Sequence, residues 1–146
     1  MHDDPVVRTL DDALRQPPIR LWQRLVRLTQ ARMREVEATL APLDLSVTEF
    51  DLLAAVRAHG GATQQDIAQH LLFSEANLTY HAQRLCGRGL IRREMSGKAK
   101  RLFLTPAGEA LIGQALPRVV GLHERQFGTL TPEQMRQLEV LLRLLG

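Results

Sequence analysis

A mainly α fold of α+β class is predicted by three features of the sequence. Apolar residues recur at spacings of three and four along most of the chain, the period of amphipathic helices. Helical stretches open repeatedly on a Ser or Thr able to cap them, at Ser46, Thr63, Ser74, Thr105 and Thr131. One stretch, residues 90–105, abandons the helical period for two short extended runs around Ser96-Gly97, which reads as a small hairpin.

Residues 1–17 are polar and weakly periodic and read as a flexible segment closed by Pro17-Pro18. A long helix follows, with Trp22, Leu25, Val26, Thr29, Met33, Val36 and Leu40 forming one apolar stripe, and Pro42 ends it. Ser46-Val47-Thr48-Glu49 is a capping box, with Ser46 accepting from the Glu49 amide and the Glu49 carboxylate reaching back. The helix it opens turns Phe50, Leu53 and Val56 inward and stops at Gly60-Gly61. Thr63, with Asp66 three residues on, starts a short helix with Ile67, Ala68 and Leu71 inside.

Ser74 caps the next helix, whose inner residues are Leu78, Ala82 and Leu85 and whose stop signal is Gly87 or Gly89. Two short helices so close together are a helix-turn-helix candidate, with Phe73 in the turn region where glycine is usual. After the hairpin, Thr105-Pro106 restarts a helix through Leu111, Ile112, Leu116, Val119, Val120 and His123, with a bend expected at Pro117. Thr131 and Gln134 form a capping box for a last helix carrying Met135, Leu138, Leu141, Leu142 and Leu145.

Helix, helix, helix-turn-helix, hairpin, helix, helix is the order of a winged helix at 46–105, flanked by a helical region made of 18–45 and 106–146. The terminal helices carry more apolar surface than a small winged helix covers, so pairing with a second copy is expected. Packing within one larger core is the alternative.

Composition bounds the function. Lys and Arg exceed Asp and Glu by 19 to 16, a formal charge of +3, and 45% of residues are hydrophobic, ordinary for a globular chain. The charge is unevenly spread. Arg84, Arg88, Arg92, Arg93, Lys98, Lys100 and Arg101 crowd residues 84–101 with Glu94 as the only acid, the pattern that phosphate contact requires. A solvated charge run is the competing reading.

On the 74–86 helix, Ser74, Glu75, Ala76, Asn77, Thr79, Tyr80, Gln83 and Arg84 fall on or near the face opposite the inner stripe. Asn77 suits adenine, Ala76 a thymine methyl, and Thr79 and Tyr80 a phosphate or base edge. With Arg93, Lys98, Lys100 and Arg101 they are the candidate duplex-DNA contacts. A winged helix used only for protein contact is the alternative, against which the basic run argues.

No nucleophile elbow, phosphate loop or His-Glu-x-x-His is present, so no catalytic residue is expected and the chain reads as no enzyme. His2, His59, His70, His81 and His123 lack metal-ligand spacing, and neither metal nor cofactor is expected. Cys86, the single cysteine, lies at the C-terminal end of a helix whose dipole disfavours a thiolate, and reads as a structural thiol. No leader sequence is apparent behind Met1, and no apolar run approaches the roughly 20 residues that span a bilayer. A cytoplasmic protein with no membrane partner is therefore expected.

Thr63-Gln64-Gln65-Asp66-Ile67-Ala68, then Ser74 through Arg84-Leu85, Gly89-Leu90-Ile91-Arg92-Arg93 and Leu104-Thr105-Pro106-Ala107-Gly108 resemble the MarR (multiple antibiotic resistance regulator) family over roughly residues 18–145. The spacing from RGLIRR to LTPAG is the specific part. The resemblance implies a homodimeric transcriptional regulator, a repressor, with long N- and C-terminal dimerisation helices and a pseudo-palindromic operator.

The family's wing carries an Asp-Arg-Arg stretch. Here Ser96-Gly97-Lys98-Ala99-Lys100-Arg101 has no acid, leaving Lys98 or Lys100 as the wing's cations. The resemblance also implies a small aromatic effector, for which Trp22, Asp51, Arg57 and His59 are the candidate ligand residues. Trp22 with Asp51 is similar to the pair of a urate-sensing branch, although a core tryptophan and a surface aspartate is the reading preferred from burial habits.

Overall fold

The structure, a computed structural model, describes residues 9–146. The seven helices among these residues are α1 (Leu10–Leu14), α2 (Pro17–Leu40), α3 (Val47–Ala58), α4 (Gln64–Leu71), α5 (Glu75–Gly87), α6 (Pro106–Phe127) and α7 (Pro132–Arg143). Strands β1 (Ile91–Ser96) and β2 (Ala99–Leu104) lie between α5 and α6, and a 3-10 turn, Ala41–Leu43, contains Pro42. The chain divides into two compact units, with the second beginning at Val36.

In the first unit, α1 is capped by Thr9, whose hydroxyl accepts from the Asp12 amide. This short helix falls in a segment whose sequence showed little period. Trp22 is 65% exposed, so it is not the core residue expected, and Leu21, Leu28 and Met33 on the same helix are exposed with it.

In the second unit the largest fully buried side chains are Leu40, Leu52, Leu53, Val56, Ile67, Leu78, Leu85, Leu102 and Ile112. They come from α2, α3, α4, α5, β2 and α6, and so form a single core on which the helix-turn-helix and the hairpin both rest. The caps read from the sequence are in place. Ser46, Thr63, Ser74, Thr105 and Thr131 each accept from the amide three residues on. At Thr63 and Thr131 the box is closed by Asp66 and Gln134. At Ser46 it is not, because the Glu49 carboxylate bonds to Arg88 instead of to its own helix end.

Leu72, between α4 and α5, takes the left-handed conformation (φ 57°) that a glycine would hold without strain, and its side chain is 92% exposed. That geometry costs about 1 kcal/mol which no burial repays. Phe73 follows it and packs against the core, its amide returning to the Ala68 carbonyl at 2.9 Å.

β1 and β2 pair antiparallel from Ile91 opposite Leu104 to Ser96 opposite Ala99. The hairpin is longer than the sequence suggested, and its two-residue turn is Gly97-Lys98 rather than Ser96-Gly97. Only the first turn residue takes positive φ, 63° at Gly97, as a tight hairpin turn of the II′ kind requires. The segment before α4 joins β2 as well. The Gly61 amide donates to the Leu102 carbonyl at 3.0 Å, and the Leu102 amide donates to Ala62 at 3.1 Å.

α6 is continuous through Pro117. Gly108, Ile112, Ala115, Val119 and Leu122 are its buried positions, while Leu116 and Val120 are 38% and 46% exposed. α7 buries none of its residues. No helix among the described residues is long and apolar enough to cross a membrane.

Two predictions follow from this packing. A Cβ at Gly108 in the first turn of α6 would lie 2.0 Å from the Leu90 carbonyl oxygen, so Gly108→Ala should cost about 3 kcal/mol in urea unfolding. Burial pushes the Asp51 carboxyl of α3 above its ordinary value of 3.8. An acid whose folded pKa is raised destabilises the fold once ionised, so Asp51→Asn should raise the melting temperature at pH 7. The gain should shrink as pH falls through the raised value and vanish below 3.8, where the carboxyl is protonated in both states.

Candidate nucleic-acid interface

The face is built on α5. Leu78, Ala82 and Leu85 anchor the helix to the core along one narrow stripe, and that leaves Ser74, Glu75, Ala76, Asn77, Tyr80, Gln83 and Arg84 exposed. The outward set expected from the helical period is therefore the observed one, except that Thr79 is half-buried. Its hydroxyl accepts from Gln64 Nε2 at 2.7 Å, which ties the start of α4 to the outer side of α5. Tyr80 is 54% exposed, and its hydroxyl accepts from Arg84 Nη1 at 3.3 Å while the Arg84 guanidinium lies 5.8 Å from the ring centroid.

Beside this helix the hairpin turn brings Lys98 and Lys100 to the same groove. Thr63, Gln64, Glu75, Thr79, Lys98 and Lys100 line a cavity of about 290 Å³ between α4, α5 and the wing. Gln64 was not among the sequence candidates. Nothing local marks it, since its place depends on how α4 crosses α5.

The basic run separates into three environments. Lys98 and Lys100 are exposed. Arg92 stacks on Phe103, 4.4 Å from the ring centroid, and pairs with Glu94 across one strand face. Arg93 and Arg101 are half-buried. Arg101 Nη1 donates to the Gly61 carbonyl at 2.7 Å, which fastens the wing to the segment before α4, and Arg93 Nε and Nη2 are enclosed without a hydrogen-bond partner among the described residues.

At the far end of α5 a part-buried ion pair links it to α3. Glu49, 5% exposed, accepts from Arg88 Nη1 at 2.6 Å. A hydrogen bond between charged partners contributes about 1.5–3 kcal/mol, more than the single caps around it.

The effector candidates are distributed as follows. Trp22 stands on α2 in the first unit, while Asp51, half-buried, Arg57 and His59 belong to α3 and its end in the second. Arg57 pairs with Glu109 of α6 at 3.3 Å, and the His59 ring meets His70 edge to face at 4.9 Å. Cys86 is free and half-buried against the core. Among the described residues no group of three or more His, Cys, Asp or Glu could hold a metal ion.

This arrangement matches known proteins. The MarR family model matches residues 43–102, the segment from the end of the 3-10 turn into the second strand of the wing. The multiple antibiotic resistance protein MarR of Salmonella typhimurium is 30% identical over 129 residues, covering 86% of this chain and 90% of that protein. An HTH-type transcriptional regulator of Bacillus cereus is 27% identical over 118 residues, covering 81% of this chain and 80% of its own.

Among solved structures, a mutant MarR from E. coli complexed with operator DNA superposes with a TM-score of 0.81 at 25% identity, over 87% of this chain and 94% of that one. A Mycobacterium tuberculosis MarR family protein in complex with DNA gives 0.71 at 27% identity, over 86% and 97%. At 30% identity to the Salmonella protein over 86% of its length, and with the family model matching its winged-helix segment, this chain belongs to the MarR family of transcriptional regulators.

Proposed function

We propose that this chain is a cytoplasmic, sequence-specific regulator that binds duplex DNA as a two-fold dimer, represses by occupying its operator and catalyses no reaction. The observation that carries the reading is the exposed face of α5 with Lys98 and Lys100 beside it, a helix narrow enough for the major groove flanked by cations for the backbone. The operator complex of the E. coli relative supports this reading over a module for protein contact alone.

Asn77, Ala76 and Tyr80 read base edges in this proposal. Lys98 and Lys100 meet phosphates, and Arg84 and Gln83 flank them. Arg101 acts from behind, holding the wing against the segment that leads into α4.

The dimer rests on α6 and α7. Leu116 and Val120 of α6 are exposed, as are Met135, Leu138, Leu141 and Leu142 of α7 at 36–59%. Each such side chain gains about 1.5–3 kcal/mol when fully buried, so a second copy is the economical cover. A two-fold dimer copies its symmetry into the operator and places the two α5 helices about one DNA turn apart.

Two experiments test the proposal. Replacing Leu138 and Leu142 by Asp should convert a sedimenting dimer into a monomer that no longer retains operator fragments, and an unmodified chain that sediments as a monomer with and without DNA would remove the dimer. In salt titrations against selected and random duplexes, Asn77→Ala should cost about 1–3 kcal/mol on the selected duplex only. Lys98→Ala should weaken both alike and flatten the salt slope by about two for a dimer. A changed base preference with an unchanged slope in Lys98→Ala would show that the wing reads sequence.

A further inference from the structure

Glu49 is the one charged residue among the described residues that is buried, at 5% exposure. Its two oxygens face Arg84 of α5 and Arg88, the C-cap of that helix, one helical turn apart. Oε2 accepts from Arg88 Nη1 at 2.6 Å, and Oε1 lies 3.9 Å from Arg84 Nε. On the solvent side Asp44, in the turn before α3, approaches Arg88 Nη2 at 3.7 Å. Arg84 in turn donates to the Tyr80 hydroxyl at 3.3 Å, so a carboxylate of α3 is connected through Arg84 to the exposed face of α5.

The charges in this chain of contacts do different work from the groups that read bases. DNA phosphates attract every uncompensated cation, whatever the sequence, and that attraction sets the non-specific background. Selectivity is the ratio of specific to background binding, so lowering the background raises it as surely as adding a base contact does. A guanidinium already facing a carboxylate contributes little to the background. Arg84, with 54% of its side chain exposed, and Arg88, with 29%, would both contribute if released.

Resting on the DNA-binding reading above, we propose that Glu49, with Asp44 at its rim, is a specificity-positioning residue: it neutralises Arg84 and Arg88 and steadies Arg84 beneath Tyr80, restraining sequence-independent phosphate binding by the end of α5. A carboxylate that served the fold alone would have no such effect on the background.

The test uses the full chain, a duplex selected by the wild-type protein from a random pool, and an unselected random duplex, each titrated with salt. Glu49→Gln keeps the shape and an acceptor for Arg88 but removes the charge. It should strengthen random-duplex binding about tenfold at 0.1 M salt and steepen the salt slope by about two for a dimer, and the selected-to-random ratio should fall. Glu49→Gln combined with Arg88→Gln restores the local charge balance and should return the slope and the ratio toward wild type.

Asp44→Asn removes the exposed outer charge without touching the core. It should steepen the slope in the same direction by less, which keeps the proposal testable if Glu49→Gln does not fold. Weakening of both duplexes alike by Glu49→Gln, failure of the double variant to reverse the change, or an unaltered slope in Asp44→Asn would overturn the proposal. A wild-type chain with no preference for any selected duplex would overturn the DNA-binding reading and this proposal with it, whereas a retained preference confines the failure to Glu49.

Discussion

The narrow stripe of Leu78, Ala82 and Leu85 is the constraint on which the rest of the molecule depends. A helix embedded on all sides could not enter a groove, and one held only by its ends would not keep its side chains in register with base pairs. Three residues at helical spacing, each buried, hold α5 to the core through one face and leave the others to solvent. The Ser74 cap fixes where the helix starts, and therefore which residues fall outward. Gln64 from α4 and Glu49 from α3 then brace α5 at opposite ends through side-chain bonds rather than further apolar contact.

The wing is stiffened by the same economy. A two-stranded hairpin is marginal by itself. Here β2 gains a second neighbour in the segment from Gly61 to Thr63, and Arg101 closes the join by donating to Gly61. On the other side, α6 begins so close to the backbone at Leu90 that only glycine fits at position 108, while the Thr105 hydroxyl donates to the Gly89 carbonyl at 2.6 Å. The wing tip with Lys98 is thus carried on a braced hairpin, and its cations arrive beside α5 without any acid in the turn to hold them.

Charge and apolar surface are divided between different elements of the second unit. Cations and exposed polar groups gather around α5 and the wing, while α6 and α7 present Leu116, Val120, Leu138 and Leu141. α6 serves both purposes. Its Ile112, Ala115, Val119 and Leu122 complete the core, and the adjoining stripe remains exposed, an apolar arc wider than this core uses.

What the sequence by itself determined was local. The helix starts at Ser46, Thr63, Ser74, Thr105 and Thr131, the inner stripe of α5, the hairpin and the family resemblance are legible because a cap or an amphipathic stripe is set by residues three or four apart. Side-chain partners across the fold were decided by the tertiary structure. Glu49 looked like the closing half of its own capping box, yet a carboxylate enclosed by the core gains more from a guanidinium 39 residues away than from an amide already near solvent.

Arg93, Arg101 and Lys98 look alike in a basic run. Only strand pairing turns Arg93 toward the interior, brings Arg101 to the Gly61 carbonyl and leaves Lys98 in water. Leu72 carries the left-handed turn without any of the usual signals, because the packing of Phe73 and the crossing of α4 and α5 impose it. Periodicity fixes which face of an element is buried. Which long side chain meets which is a matter of how the elements cross, and crossing has no local code.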